Sequence, residues 1–201
     1  RHNVIDLIGY VLAVSGREVE MISGRHKPAL GAYPLGAEGV YVLDMPAGKA
    51  DSTVSITFEI AVWLNFDASC VLDVEGEAGE RKSMSWVFHR QTAPKTAIIT
   101  VDDLVSRSIY EGIKQQGQQV VLGISAQHFV SGGIGVDDGW LVDDRAGSSD
   151  RVIRLTDLEV FQTVDNHLAA VAAYACAVSA GVQPHAAMAC LNSYVPEEEG
   201  A

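Results

Sequence analysis

Residues 95–103, "KTAIITVDD", decide the fold. From Ala97 to Val101 the stretch is almost unbroken apolar, and it stops on two carboxylates, Asp102 and Asp103. A strand with one wet face alternates polar and apolar side chains. A continuous run reads instead as a strand covered on both faces, as in the middle of a parallel sheet. Open parallel sheets bind ligands beyond the carboxyl ends of their strands, so the same nine residues also indicate where a site would lie.

The neighbouring segments support this reading. Residues 103–117, "DLVSRSIYEGIKQQG", predict a helix with an acid at its start and a glycine stop, and "QQVVLGIS" (118–125) a further strand. Upstream, "GVYVLDM" (39–45) is an apolar run ending on Asp44, and "EIAVWLNF" (59–66) is another, ending at Asn65. "REVEMIS" (17–23) predicts a short strand. In "RHNVIDLIGYVLAVSG" (1–16), Val4, Leu7, Ile8, Val11 and Leu12 recur at helical spacing, Asn3 suits the N-cap and Gly16 the stop.

Downstream the pattern changes. "SGGIGVDDGWLVDD" (131–144) sets Gly and Asp at turn spacing between short β-prone pieces, which predicts antiparallel hairpins, and "DRVIRLTDLEVF" (150–161) extends them. "DNHLAAVAAYACAVSAG" (165–181) and "QPHAAMACLNSYV" (183–195) predict two helices, the second with Pro184 in its first turn. The expectation is an α/β fold: a mostly parallel P-loop-type sheet flanked by helices, with a small antiparallel subsheet at about 125–162. Without repeat or linker, residues 1–201 are expected to form a single domain.

Composition narrows the function. With 201 residues, 48% of them hydrophobic, the chain can bury a sizeable core. A formal charge of −12 argues against nucleic acid, which needs clustered Lys and Arg. No run approaches the roughly 18 apolar residues of a membrane span, and the first residues lack the apolar core of a signal peptide. Cys70, Cys176 and Cys190 are far apart, with no Cys-x-x-Cys pair. A cytoplasmic chain with core thiols is expected. The six histidines are scattered, nothing pairs with those of "RHNV" and "GRHK" as metal sites require, and no nucleophile-elbow motif supports a Ser-His-Asp triad.

In their order, these segments resemble the central, ATP-binding domain of the Mur ligases, most closely the branch that joins D-glutamate to UDP-N-acetylmuramoyl-L-alanine. "LIGYVLAVSGREV" is similar to that family's first helix and following strand, and "KPAL" to the turn after it. "VYVLDMPAGKADST" falls on the strand ending in Glu-Leu-Ser-Ser, and "IAVWLNF" on the strand before Asp-His-x-Asp. "AIITVDD" and "VDNHLAAVAAYACAVSAGV" resemble the Asn-x-Asp-Asp and His-Asn segments. The collinear order covers nearly the whole chain.

The resemblance implies chemistry that the residues match poorly. The family's phosphate loop, Gly-x-x-Gly-Lys-Ser/Thr, cradles phosphate before the first helix. Laid on it, Arg1 takes the Lys position and His2 the hydroxyl position, and the glycines would precede residue 1. Asp44 replaces the metal-serving Glu, while Pro46 and Ala47 replace the serines. The segment that helps hold metal falls on "SCVLDV" (69–74), although Mg²⁺ wants oxygen ligands. The modified lysine falls on Met84, with Lys82 two residues away. Asn166 keeps the Asn of the adenine-side pair and also suits a helix cap, while Asp165 replaces the His. The nucleotide-contacting His-Arg becomes Glu199-Gly200.

The expected function is therefore a Mur-ligase-like domain that has lost ATP-dependent ligase activity and serves in binding, assembly or regulation. No cofactor is expected, and the partner would be an unidentified protein or a cell-wall precursor. The residual candidates are Asp44 and Asn65 for catalysis, Arg1, His2 and Asn166 for nucleotide, and Asp44 for metal. The competing expectation is an active ligase using ATP and Mg²⁺ to activate a carboxylate for attack by an amine. A third is an α/β domain with an unrelated ligand at the same strand ends.

Overall fold

A computed structural model describes residues 4–23, 31–45, 56–64, 86–88 and 90–196. The chain divides into two compact units, residues 1–44 with 124–201, and residues 45–123.

The second unit is built on residues 95–103. Strand β4 (Thr96–Thr100) is buried at every position, as its unbroken apolar run requires. Beside it, parallel and in register from Ile60↔Thr96 to Trp63↔Ile99, runs β3 (Ile60–Trp63). On β4's other side lies β5 (Val120–Ile124), which carries the chain into the first unit. Helix α2 (Leu104–Gln116) packs on β4. Its ends are those expected: Asp103 at the N-cap and Gly117 beyond the last turn at φ 63°. Trp63, Phe88, Ile98, Ile99, Ile113 and Leu122 fill this core.

The first unit opens with α1 (Val4–Val14), which buries Leu7, Val11 and Leu12. Each such side chain contributes about 1.5–3 kcal/mol. Gly16, at φ 92°, ends the helix, with its N–H on Ala13 O and that of Arg17 on Leu12 O. Strands β1 (Val19–Ile22) and β2 (Val40–Leu43) come next as a parallel pair, Val19↔Val40 to Ile22↔Leu43. Residues 40–43, 60–63 and 96–100 are thus strands, as the sequence predicts. β2 pairs with β1 in a two-stranded sheet, while β3 pairs with β4.

From Ile124, which pairs parallel with Ile134, the expected antiparallel subsheet appears. Its strands are β6 (Ile134–Asp137), β7 (Trp140–Asp143) and β8 (Asp150–Arg154). Asp138 and Gly139 form the two-residue turn between β6 and β7, at φ 46° and 76°. That is the Asp-Gly combination a primed hairpin turn favours. Helices α3 (Val164–Ser179) and α4 (Pro184–Ser193) close the unit and pack on α1 and on each other. Residues Ala169–Ala177 of α3 are buried without a break, since small side chains let neighbours approach from all sides.

Candidate functional site

The carboxyl ends of the parallel strands are where the sequence places a site, and each unit supplies some. In the second unit, β4 ends at Thr100, and Asp102-Asp103 lie just beyond it. Asp103 is committed to the fold. Its Oδ1 accepts the backbone N–H of Ser106 at 2.8 Å and its Oδ2 the Ser106 hydroxyl at 2.6 Å. That Ser106 oxygen in turn accepts the indole N–H of Trp63, the last residue of β3, at 2.8 Å. Arg107 closes the same corner, its Nε and Nη2 both donating to Val101 O at 3.2 and 2.7 Å. The chain thus stitches β3, β4 and the start of α2 together with the polar groups nearest the strand ends. Asn65 lies outside the described residues.

In the first unit, Asp44 directly follows β2 and is exposed, while its backbone N–H continues the ladder to Ile22 O at 2.9 Å. An exposed carboxylate at a strand end can accept hydrogen bonds or join a cation site. Among the described residues, however, no three His, Cys, Asp or Glu side chains converge as metal ligands. Arg1 and His2 lie outside the described residues, as do Pro46, Ala47, residues 69–74, Lys82, Met84, His89 and residues 199–200.

Asn166 is not the cap that its place before α3 suggests. Thr163 holds that position, its hydroxyl accepting the N–H of Asn166 at 3.3 Å, so Asn166 sits within the first turn. Its side-chain Nδ2 donates back to Val160 O at 2.8 Å. The physical reason is register: helical backbone begins at Val164, three residues before the start that a cap at Asn166 would give, so the threonine hydroxyl reaches the open N–H groups first. The neighbouring His167 is likewise engaged, with Nε2 at 3.0 Å from Phe161 O.

Sequence reasoning missed a polar centre at the end of β7. Asp143 is buried and held by two side chains from different parts of the chain. Arg145 reaches it with Nε at 2.9 Å and Nη2 at 2.7 Å, a two-pronged grip, and the Tyr174 hydroxyl donates from α3 at 3.0 Å. Burial opposes the charge on Asp143, but the hydrogen bonds and charge of Arg145 outweigh it and hold the carboxyl below its usual range. Burial first, then the Asp143 charge, pushes the Tyr174 phenol up. Asp144 knits two loops: Gly132 N–H donates to its Oδ2 at 2.8 Å, and the N–H and hydroxyl of Ser149 to its Oδ1 at 2.9 and 2.7 Å. Those bonds lower its pKa, Gly132's most of all. The signal was "VDDRAGSSD", an acid pair followed by Arg and turn residues, but nothing in it names Tyr174 as the partner.

Another strand-end group lies after β5. Ser125 is buried, and its Oγ accepts the N–H groups of Gln127 and His128 at 3.0 Å each and lies 3.2 Å from His128 Nδ1. The hydroxyl oxygen thus holds the turn that follows the strand. Cys176 is also buried, its thiol pushed up to about 12 by desolvation, which keeps it protonated and inert as the sequence suggests.

No family profile matches the chain. Among curated proteins it is 28% identical to the UDP-N-acetylmuramoylalanine–D-glutamate ligase of Rhodospirillum rubrum over 176 residues, covering 88% of this chain and 37% of that protein. The enzyme of the same name from a Caulobacter strain is 28% identical over 191 residues, 94% of this chain and 40% of that protein. The chain thus spans about two fifths of the length of these relatives. Among solved structures, MurF from Acinetobacter baumannii superposes with a TM-score of 0.70 at 17% identity, covering 96% of this chain and 43% of that one. The UDP-N-acetylmuramate:L-alanyl-gamma-D-glutamyl-meso-diaminopimelate ligase of Neisseria meningitides gives 0.66 at 12%, covering 99% and 65%. Among the described residues no helix is long and apolar enough to cross a membrane.

Proposed function

Starting from the chain's relation, in sequence and fold, to the central domain of the Mur ligases, we propose that it is a non-catalytic member of the group that keeps the domain as a binding or regulatory module. The observation that carries this reading is where the substitutions fall. Core segments keep the family's order, whereas Arg1, His2, residues 69–74 and Met84 stand where the ligases need a phosphate lysine, a hydroxyl, metal ligands and a modified lysine. Decay without selection would have damaged the core as readily as the site. Asp103, in the Asn-x-Asp-Asp segment, supports the reading because both its oxygens serve the helix cap.

ATP and Mg²⁺ belong to the active-ligase alternative, and their fit turns on residues 1–3 and 65–85, outside the described residues. Asp44 alone offers one carboxylate, short of the octahedral oxygen set Mg²⁺ takes. The alternative, an active UDP-N-acetylmuramoyl-L-alanine:D-glutamate ligase acting in the cytoplasm, draws its support from the activity for which the curated relatives are named. Calorimetry of the chain with ATP and Mg²⁺ separates the two. The non-catalytic reading expects dissociation constants above about 1 mM, equivalent to less than about 4.1 kcal/mol of binding. Micromolar binding would overturn it.

A further inference from the structure

We propose that the side-chain oxygens of Gln91 and Gln119, buried in the second unit, each bind an internal water. Both glutamines are buried, at 0% and 9% exposure. Gln91 donates its Nε2 to two backbone carbonyls, Phe58 O and Thr96 O, at 3.0 Å each. Gln119 donates its own to Phe88 O at 3.3 Å, and that oxygen also accepts the Gln91 N–H at 3.1 Å. These bonds fix which end of each amide is which. Swapping oxygen for nitrogen would set Gln91's oxygen against two carbonyl oxygens and Gln119's against one. Yet the Oε1 of each side chain, fully buried, has no hydrogen-bond partner among the described residues.

Buried amide oxygens left unpaired are costly and uncommon, and the usual remedy is an ordered water bonded to about three polar groups. The ligand must be a donor, because both groups only accept. It must also be neutral, since amide oxygens carry no charge to compensate a buried cation. Water meets both conditions. It would complete the contacts by which Gln91 ties the approach to β3 to the start of β4 and Gln119 ties the approach to β5 to residue 88.

A crystal structure of the 201-residue chain tests this directly. Each of the two oxygens should lie about 2.7–3.2 Å from an ordered water. Finding either oxygen dry, or bonded to a protein donor, overturns the proposal. Thermal melting of Gln119→Met gives an independent sign. Met has a similar shape, and Phe88 O keeps the Gln91 N–H. If water is bound, the substitution strips a partner from it and also removes the bond to Phe88 O, and Tm falls by roughly 2–6 °C. If the oxygen is dry, the substitution removes an unsatisfied buried acceptor, and an unchanged or raised Tm refutes the site.

Discussion

The tripeptide Val-Asp-Asp occurs at 101–103, 136–138 and 142–144, each time at or just after the end of a strand, and its acids meet three fates. After β4, Asp103 becomes a helix cap. After β6, Asp138 takes the left-handed conformation of a hairpin turn. At the end of β7, Asp143 is buried against Arg145 and Tyr174, and Asp144 just beyond fastens two loops. Identical local sequence does not set the role of a carboxylate. The next residues in the chain separate the first two, since a helix-forming segment after Asp103 presents open N–H groups and a glycine after Asp138 invites a turn. Only the third depends on a distant residue, Tyr174, 31 positions away.

These three fates carry a ranking of costs. The largest should be at Asp143. Asp143→Ala leaves Arg145 and the Tyr174 hydroxyl without their acceptor and should cost about 2–4 kcal/mol, short of the fully buried limit because Arg145 is a third exposed. Denaturant unfolding measures it, and a cost below about 1 kcal/mol would erase the difference between Asp143 and the other two acids. The same group makes an acid prediction. Its folded pKa lies below the unfolded value, so its contribution is present above the unfolded pKa and lost as pH falls through the folded one. Asp143→Asn should therefore flatten part of the loss of stability seen on acid titration.

Asp103→Ala should come next, at about 1–2 kcal/mol for the lost cap, with Asp103→Asn retaining most of it. Hydrogen exchange should show the loss first in the opening turn of α2. Asp138→Ala should cost about 1 kcal/mol, because a side chain other than Asn, Asp or Gly resists a positive φ. Smallest is Asp44→Ala, within about 0.5 kcal/mol of the parent, as expected for an exposed carboxylate. A larger loss there would place Asp44 in a structural role.

Much of the fold was legible because periodicity reports burial directly. The unbroken run in β4 and the Ala-rich α3 could only be covered on all sides, and both are. Capping residues were legible at Asp103 and Gly16, next to a clear helical period. They were misread where two competed: Asn166 and Thr163 are both good caps, and a helix that starts at Val164 rather than His167 takes the threonine. The candidate site was less legible. Asp44 fell at its strand end as predicted, but a residue's type and place in the chain do not say which neighbours converge on it.

The sequence by itself therefore determined the elements, their order and the segments that align with the Mur ligases, because these depend on hydrophobic period, turn chemistry and collinearity. Only the tertiary structure decided how the acids are used. Asp143's burial, the pull of Arg145 and Tyr174 on its charge, and the enclosure of Gln91 and Gln119 arise from groups brought together across many residues. Desolvation is a property of the assembled surroundings, and no window of sequence contains them.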